Sequence, residues 1–564
     1  MRYAALWLIT FLLLPYSPLQ AQQYAFAVSF TNKNGTGGTI SNPSTYLSQR
    51  AINRRTHQNI AIDSSDLPVS QIYIDSILHL TGGIYHNKSK WLNFCVILLS
   101  DSTQILNLQN KSFIRDIKYI AYYGTYLHHK TMPVNGHSQA YNSPNYHAAQ
   151  KTSGSAAYYG ATYSETVFVN GDCLHDMGYK GDGKLIAVLD AGFLGADSHP
   201  GFDSIFQTGR VLETYNFALD TTYVYSYDSH GTSCLSTMAG NNPGVFVGSA
   251  PNASYALYIT EDAPEQPIKM YNLVAGTERA DSLGADVISC SLGYDIFDSP
   301  WPYTYFTYNP DFDGKSTVPC KGVNAATSKG ILFVTSAGND GASPWYYILT
   351  PGDADSALTI GATDLSKIPY SATGHGPNFA GQIKPDVCAN GVSANVFYQG
   401  GVYSSGTGTS FATPQIAGWA ACLWQFAGNV SPYRIRAAID SSADHHANPD
   451  SQVGYGIPNF CSAIQLLNVK DTPKNPLGSE WIKAGPNPFS GNILLLHAYL
   501  NLEEDVQISI CDAAGKTILQ QSLHLYSGYN SPITVNMPNA LPIGMYLLKA
   551  TSAVGTTFIK LVKI

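Results

Sequence analysis

The chain has 564 residues, enough for several domains, and 44% of them are apolar, enough to give those domains buried cores. Only 12% are charged and the formal net charge is −8, so the basic footprint that a nucleic-acid partner requires is missing. There is no GxxxxGK[ST] phosphate loop, and past the N-terminus there is no apolar run of about 20 residues, which argues against a P-loop nucleotide site and an integral membrane span.

Met1-Arg2 precedes an apolar run from Ala4 to Leu14, and Pro15, Pro18 and Ala21 follow. A basic start, a core too short to span a bilayer and a small residue at the end read as a signal peptide over residues 1–21. The low charge and the abundance of Tyr, Asn, Ser and Thr suit an exported protein.

Residues 22–125 alternate strand and helix signals in a small α+β module. Ala25 to Phe30 reads as a strand. Asn42-Pro43 reads as an N-cap with proline at the first helical position, leading a helix through Leu47, Ala51 and Ile52. Ser70 starts a second helix with Ile74, Ile77 and Leu78 on one face, and Gly82-Gly83 ends it. Trp91 to Leu99 reads as an apolar strand, and Phe113, Ile114, Ile117 and Ile120 make another half-buried element. No catalytic cluster falls here. Residues 126–158 are polar and read as an exposed linker, where proteolytic nicking concentrates.

Residues 159–468 carry the chemistry. Lys184 to Leu189 is a continuous apolar strand ending at Asp190. In an open parallel sheet, ligands sit at the carboxyl ends of strands, which favours Asp190 over Asp182 and Asp197, neither of which ends such a strand. His230-Gly231-Thr232 follows the polar run Tyr227-Asp228-Ser229 and opens a helix. Asp286 to Cys290 is a strand that runs into the small-residue edge Ser291-Leu292-Gly293. Residues 303–320 form an aromatic insertion. Its Asp311-Phe312-Asp313-Gly314 reads as a plain turn, because no glutamate completes a calcium loop. A strand from Gly330 to Ser336 delivers Asn339, an uncharged amide donor. Small residues from Ser405 then run up to Ser410, and an apolar, helix-like run from Ile416 to Phe426 follows. A serine at a helix start sits beside backbone N–H groups and a positive dipole, but it needs a base to become a nucleophile.

Nine cysteines leave at least one unpaired, and the absence of any CxxC argues against zinc. Cys234 and Cys290 are either small buried hydrophobes or disulfide partners. Residues 469–485 read as a linker. Residues 486–564 alternate as in Val506-Gln507-Ile508-Ser509-Ile510, with Gly515 and Gly528 as turns, and read as a small all-β sandwich.

Val188-Leu189-Asp190-Ala191-Gly192, His230-Gly231-Thr232, Ser336-Ala337-Gly338-Asn339-Asp340 and Ser405 to Gly418 together resemble the signature blocks of the subtilisin-like serine proteases, the subtilases, over roughly residues 160–467. The resemblance implies an α/β, three-layer catalytic domain with a mostly parallel sheet. It implies a triad of Asp190, His230 and Ser410, with Asn339 and the Ser410 N–H holding the oxyanion. Ser291, Leu292 and Gly293 would pair with the substrate backbone as an added strand, and Ser336, Ala337 and Gly338 would line the pocket for the side chain before the cut. The Thr359 to Ala362 and Lys384 to Val387 segments also resemble family core segments. Gln415 stands where the family usually has histidine after Thr-Pro. Residues 22–125 resemble the family's propeptide, a folding chaperone and inhibitor. The ending Gly544 to Lys549 and Lys560 to Ile564 resembles the C-terminal sorting domain of type IX secretion in Bacteroidetes-type bacteria.

The expectation is therefore a secreted or cell-surface serine endopeptidase, made as a self-processed precursor and monomeric. Its partners are protein or peptide substrates, its own propeptide as inhibitor, and the secretion machinery. No organic cofactor or metal site is implied, with a structural calcium left open. The Ser410 hydroxyl should reach a His230 ring nitrogen at roughly 2.6–3.2 Å. The alternatives are a catalytically inactive subtilase fold or an adhesin acting through the β domain. A sedolisin-type peptidase would lack the catalytic histidine.

Overall fold

The computed structural model describes residues 22–123, 156–261, 264–302, 305–398, 402–468, 481–485, 487–500, 504–525, 528–538, 541–553 and 555–564. The expected signal peptide, most of the processing linker and most of the second linker lie outside the described residues. The chain divides into two units, 1–468 and 469–564.

The first unit begins with an antiparallel sheet in the order β2-β3-β1-β4. Its strands are β1 (Gln23–Phe30), β2 (Ile84–Ser89), β3 (Phe94–Leu99) and β4 (Ile114–Tyr123). β1 is apolar on both faces because both are covered. Phe26, Val28 and Phe30 pack with Ile74 and Ile77 of α2 (Gln71–Thr81), whereas Ala25 and Ala27 pack with Met270 and Tyr271. The helix expected after Asn42-Pro43 starts later. Pro43–Thr45 is a single 3₁₀ turn, and α1 (Gln49–His57) is capped instead by Ser48, whose hydroxyl oxygen accepts from the Ala51 N–H at 3.1 Å. An N-cap needs an extended backbone and a side-chain acceptor two or three residues ahead of its donor, and Ser48 supplies both. The strand expected from Trp91 begins only at Phe94, because residues 90–93 form the turn from β2.

The rest of the first unit is built on a seven-stranded parallel sheet. Its strands are β5 (Leu185–Asp190), β6 (Val211–Asn216), β7 (Ser254–Ile259), β8 (Val287–Cys290), β9 (Leu332–Ser336), β10 (Leu358–Thr363) and β11 (Val387–Asn390), in the order β11-β10-β9-β8-β5-β7-β6. β5 is an interior strand and wholly buried. Ile186 and Val188 face a layer containing helices α3 (His230–Ala239) and α6 (Thr409–Ala427). Leu185, Ala187 and Leu189 face a layer containing α4 (Ile268–Leu283) and α5 (Val318–Ser328). This is the expected three-layer arrangement. Both faces of the sheet are covered, so β5 reads as a continuous apolar run rather than an alternating one.

α1 and the β2–β3 turn meet α4 through buried charges. Asp281 of α4 accepts from Arg54 at 2.5 Å, Arg55 at 2.9 Å and Lys90 at 3.1 Å, and Arg55 also reaches Asp66 at 2.8 Å. Burial alone would push the Asp281 carboxyl up, but Lys90, Arg54 and Arg55 outweigh it and hold the group well below the usual carboxylate range.

The second unit is all-β. A three-stranded sheet joins β12 (Ile482–Gly485), β13 (Ile493–Leu500) and β16 (Gly528–Asn536). A four-stranded sheet takes the order β15-β14-β17-β18 from β14 (Glu504–Asp512), β15 (Thr517–Leu525), β17 (Gly544–Ser552) and β18 (Gly555–Lys563). Val506, Ile508 and Ile510 turn into the shared apolar core and Gln507 stays exposed, as the alternation predicts.

Asp281→Asn should leave three cations buried around a neutral amide. We expect the full chain to lose about 3–5 kcal/mol in denaturant unfolding, and the chain without its N-terminal module to lose much less. Because the folded pKa is depressed, this contribution is complete above the ordinary carboxylate range and is lost as pH falls through the folded value. Equal losses in the two forms would contradict this account.

Candidate active site

Asp190 is the last residue of β5 and is fully buried. Its Oδ1 accepts from the Ala191 N–H at 2.8 Å and meets His230 Nδ1 at 2.7 Å. Asp182 is bonded instead to Asn252, and His230 is bonded to neither Asp182 nor Asp197. His230 heads α3. Its backbone N–H donates to Asp228 Oδ1 at 2.7 Å, which fixes the helix start. The glycine that follows it permits a close approach: a Cβ on Gly231 would lie 2.4 Å from the Gly192 carbonyl and 2.9 Å from Asp190 Cβ. The His-Gly pair thus brings the ring to the end of β5.

Burial opposes the charged imidazolium, yet the Asp190 carboxylate outweighs it and holds the His230 pKa well above its ordinary value. The side chain keeps 18% of its surface open, so the ring is reached from one side only.

Ser410 is the second residue of α6 and is 8% exposed. Pro414, four residues on, has no N–H to give to the Ser410 carbonyl. That buried oxygen takes two side-chain donors instead, the Ser291 hydroxyl at 2.9 Å and the Cys234 thiol at 3.3 Å. The Cys234 sulfur also lies 3.8 Å from His230 Nδ1, and the Phe411 ring centroid is 5.8 Å from that of His230. Ser410 and His230 are therefore neighbours, but the expected hydroxyl-to-ring bond is not formed. The Ser410 hydroxyl donates to the Ser291 carbonyl at 3.4 Å. That bond is long, and a turn about one side-chain torsion separates the staggered alternatives.

Asn339 follows β9 and is exposed. Its Oδ1 accepts from the Thr409 N–H at 2.9 Å and the Thr409 hydroxyl at 3.1 Å. With the oxygen anchored beside Ser410, the amide NH₂ is left to donate. Ser336, Ala337 and Gly338 lie buried at the end of β9, and Ser291, Leu292 and Gly293 follow β8 at the same edge of the sheet.

Gln415, in place of the family's usual histidine, donates to the carbonyls of Asn390 at 2.7 Å and Phe411 at 2.9 Å, tying α6 to the end of β11. In the insertion, Asp313 accepts from the N–H groups of Lys315 and Ser316, and Asp311 from Thr307, so both carboxylates brace their own turns. Cys234 and Cys290 are free and buried. The one disulfide joins Cys173, ahead of β5, to Cys461 in the helix Phe460–Asn468.

Residues 181–456 match the model of the subtilase family, residues 25–133 that of the peptidase S8 propeptide domain of Bacteroidota, and residues 484–564 that of the secretion system C-terminal sorting domain. Subtilisin BL of Lederbergia lenta is 30% identical over 277 residues, 49% of this chain and 88% of that protein. The chain belongs to the subtilase family, a family of serine-type endopeptidases. Subtilisin DY of Bacillus licheniformis is 29% identical over 301 residues, 53% of this chain and 96% of that protein. The alkaline protease of Alkalihalobacillus alcalophilus is 30% identical over 277 residues, and the match spans only 63% of its length. This subtilase carries a sorting domain that directs secretion to the cell surface or the extracellular space, and no helix among its described residues is long and apolar enough to cross a membrane.

The pH dependence follows from the Asp190–His230 pair. As the base of the expected triad, His230 could act only with its ring neutral, so kcat/KM should rise with pH through a midpoint above 6.5, the ordinary value for histidine. Asp190→Asn should move that midpoint down, since the carboxylate that outweighs burial is then gone, and should lower the plateau about 10⁴-fold. An unmoved midpoint would show that another group sets the acid limb.

Proposed function

We propose that this subtilase hydrolyses peptide bonds in proteins through an acyl-enzyme formed on Ser410. The Ser410 Oγ attacks the scissile carbonyl carbon while His230 takes its proton. The tetrahedral oxyanion rests against the Asn339 NH₂ and the Ser410 backbone N–H. Collapse expels the amine, which takes the proton from His230, and water then repeats the sequence on the ester. Asp190 holds the ring by Nδ1 and stabilises its cation. Loss of a side-chain oxyanion donor costs roughly 100- to 1000-fold in turnover, as measured in subtilisin. The observation that carries the reading is the 2.7 Å Asp190–His230 bond, made at a buried strand end beside the helix that begins with Thr409-Ser410.

The reading extends to processing. The module at 25–133 is covalently tethered to the catalytic region, so its linker meets the active site at high effective concentration. Expressed in a host without other proteases, the wild type should lose roughly its first 125–160 residues. Ser410→Ala removes the nucleophile and little volume, so it should stay uncut apart from its signal peptide. Identical trimming of both proteins would refute either the nucleophile or the self-processing. A fluorophosphonate that labels the wild type but not Ser410→Ala would separate an active enzyme from an inactive subtilase fold.

The β domain acts in export rather than catalysis. Without residues 486–564 the protein should remain in the periplasm, still active on peptides. Normal surface delivery of that truncation would refute this role and favour an adhesive one.

A further inference from the structure

Two wall segments flank the position where a substrate side chain would enter, and the structure shows what lies between them. The end of β8 supplies Ser291 to Gly293, and the end of β9 supplies Ser336 to Gly338. Residues 349–350 are hydrogen-bonded to the second wall and to Tyr294, the residue that follows the first. The Leu349 N–H donates to the Ala337 carbonyl at 3.0 Å, and Thr350 exchanges two backbone bonds with Tyr294, at 2.8 and 3.2 Å. This third segment therefore closes the space between the walls.

The Leu349 side chain fills that space. A Cβ on Gly293 would lie 2.8 Å from Leu349 Cβ, and one on Gly338 would lie 2.4 Å from Leu349 Cγ. Both walls are bare backbone where they face the leucine, and neither could carry even a methyl group while it stays. Gly338 also holds a φ of +94°, which L-residues rarely adopt. The glycines thus make room, and the leucine takes it up. Leu349 is 7% exposed, Ser336 3% and Ala337 fully buried, whereas Asn339 above them is open to solvent. With the scissile carbonyl at Asn339, a side chain entering between the walls would meet Leu349 a short way in.

We propose that Leu349 is the specificity-determining residue of this subtilase, plugging the pocket so that it cleaves after small residues such as alanine, glycine or serine and excludes large aromatic ones. The inference rests on the peptidase reading and sharpens it. The side chain before the cut would sit on the leucine methyls. A phenylalanine ring could be admitted only by displacing a branched side chain held between two backbones, in an interior that is close-packed.

The test uses the full-length precursor after self-processing. Its reagents are peptidyl diphenyl phosphonates with an alanine-, phenylalanine- or lysine-type phosphonate, which transfer to the Ser410 Oγ with loss of phenol. The lysine probe is included because Asp295 and Asp340 directly follow Tyr294 and Asn339, near the ends of the two walls. Wild type should label at least about tenfold faster with the alanine probe than with the phenylalanine probe, in line with discrimination of 10- to 200-fold per methylene in apolar pockets. Leu349→Gly, and to a lesser degree Leu349→Ala, should close that gap by about tenfold or more. Titration of folded sites with a small fluorophosphonate corrects for any variant that folds poorly. Equal alanine and phenylalanine rates in wild type, a faster lysine probe, or a ratio unmoved in the titrated variants would overturn the proposal. Failure of every phosphonate and of the fluorophosphonate to label Ser410 would remove the peptidase reading, and this inference with it.

Discussion

The geometry of the site depends on a single buried charge. Asp190 has no exposed surface, and an isolated carboxylate in such a place would be costly. Two donors meet its Oδ1, the Ala191 N–H and His230 Nδ1. The first comes free with the turn at the end of β5. The second must be delivered from residue 230, across 40 positions of chain. Most of the local sequence around His230 can be read as solving that delivery. Asp228 accepts from the His230 N–H and starts the helix there, and Gly231 lets the first turn of α3 close on the strand end without a Cβ in the way.

Ser410 is fixed by different means. Its carbonyl would normally be satisfied within α6, but Pro414 removes that donor. The Ser291 hydroxyl and the Cys234 thiol replace it, and each comes from an element that borders the site. A proline inside a helix usually weakens it. Here the lost bond is exchanged for two cross-links that register α6 against β8 and α3. The N-terminal module is held on another principle. Its apolar face meets α4 through Ala25, Ala27, Phe94 and Val96, and Asp281 gathers three cations nearby. Apolar burial alone would hold that module without orienting it. A buried carboxylate that must satisfy several fixed cations sets its orientation as well.

What the sequence made legible follows from the physics of each feature. β5, β8 and β9 are short buried strands that carry their own signal, and Asp190, His230 and Asn339 stand where strand or helix ends put them. The helix expected after Asn42-Pro43 was misplaced because Pro43 satisfies only one condition for a helix start, while Ser48 supplies the acceptor. The Cys173–Cys461 pairing spans 288 residues, and the roles of Thr409 and Cys234 arise from contacts with residues about 70 and 176 positions away. No local pattern encodes such contacts. Leu349 was missed for a related reason. A leucine in an apolar stretch looks like core, and it gains meaning only because the two residues that face it have no side chains.

Cys234 poses a question that its environment answers. A thiolate 3.8 Å from the His230 ring would add a second anion beside it and hold the ring protonated to higher pH. Burial pushes the Cys234 thiol up, however, despite the opposing pull of the histidine, so at neutral pH it carries its proton and donates it to the Ser410 carbonyl. The Asp190 carboxylate is then the leading influence that holds the ring's pKa up. The same burial keeps the thiol away from solvent oxidants, since oxidation follows thiolate character and exposure. A free cysteine beside the His230 ring is thus tolerated because it is packed as a small apolar residue that happens to have one proton to give.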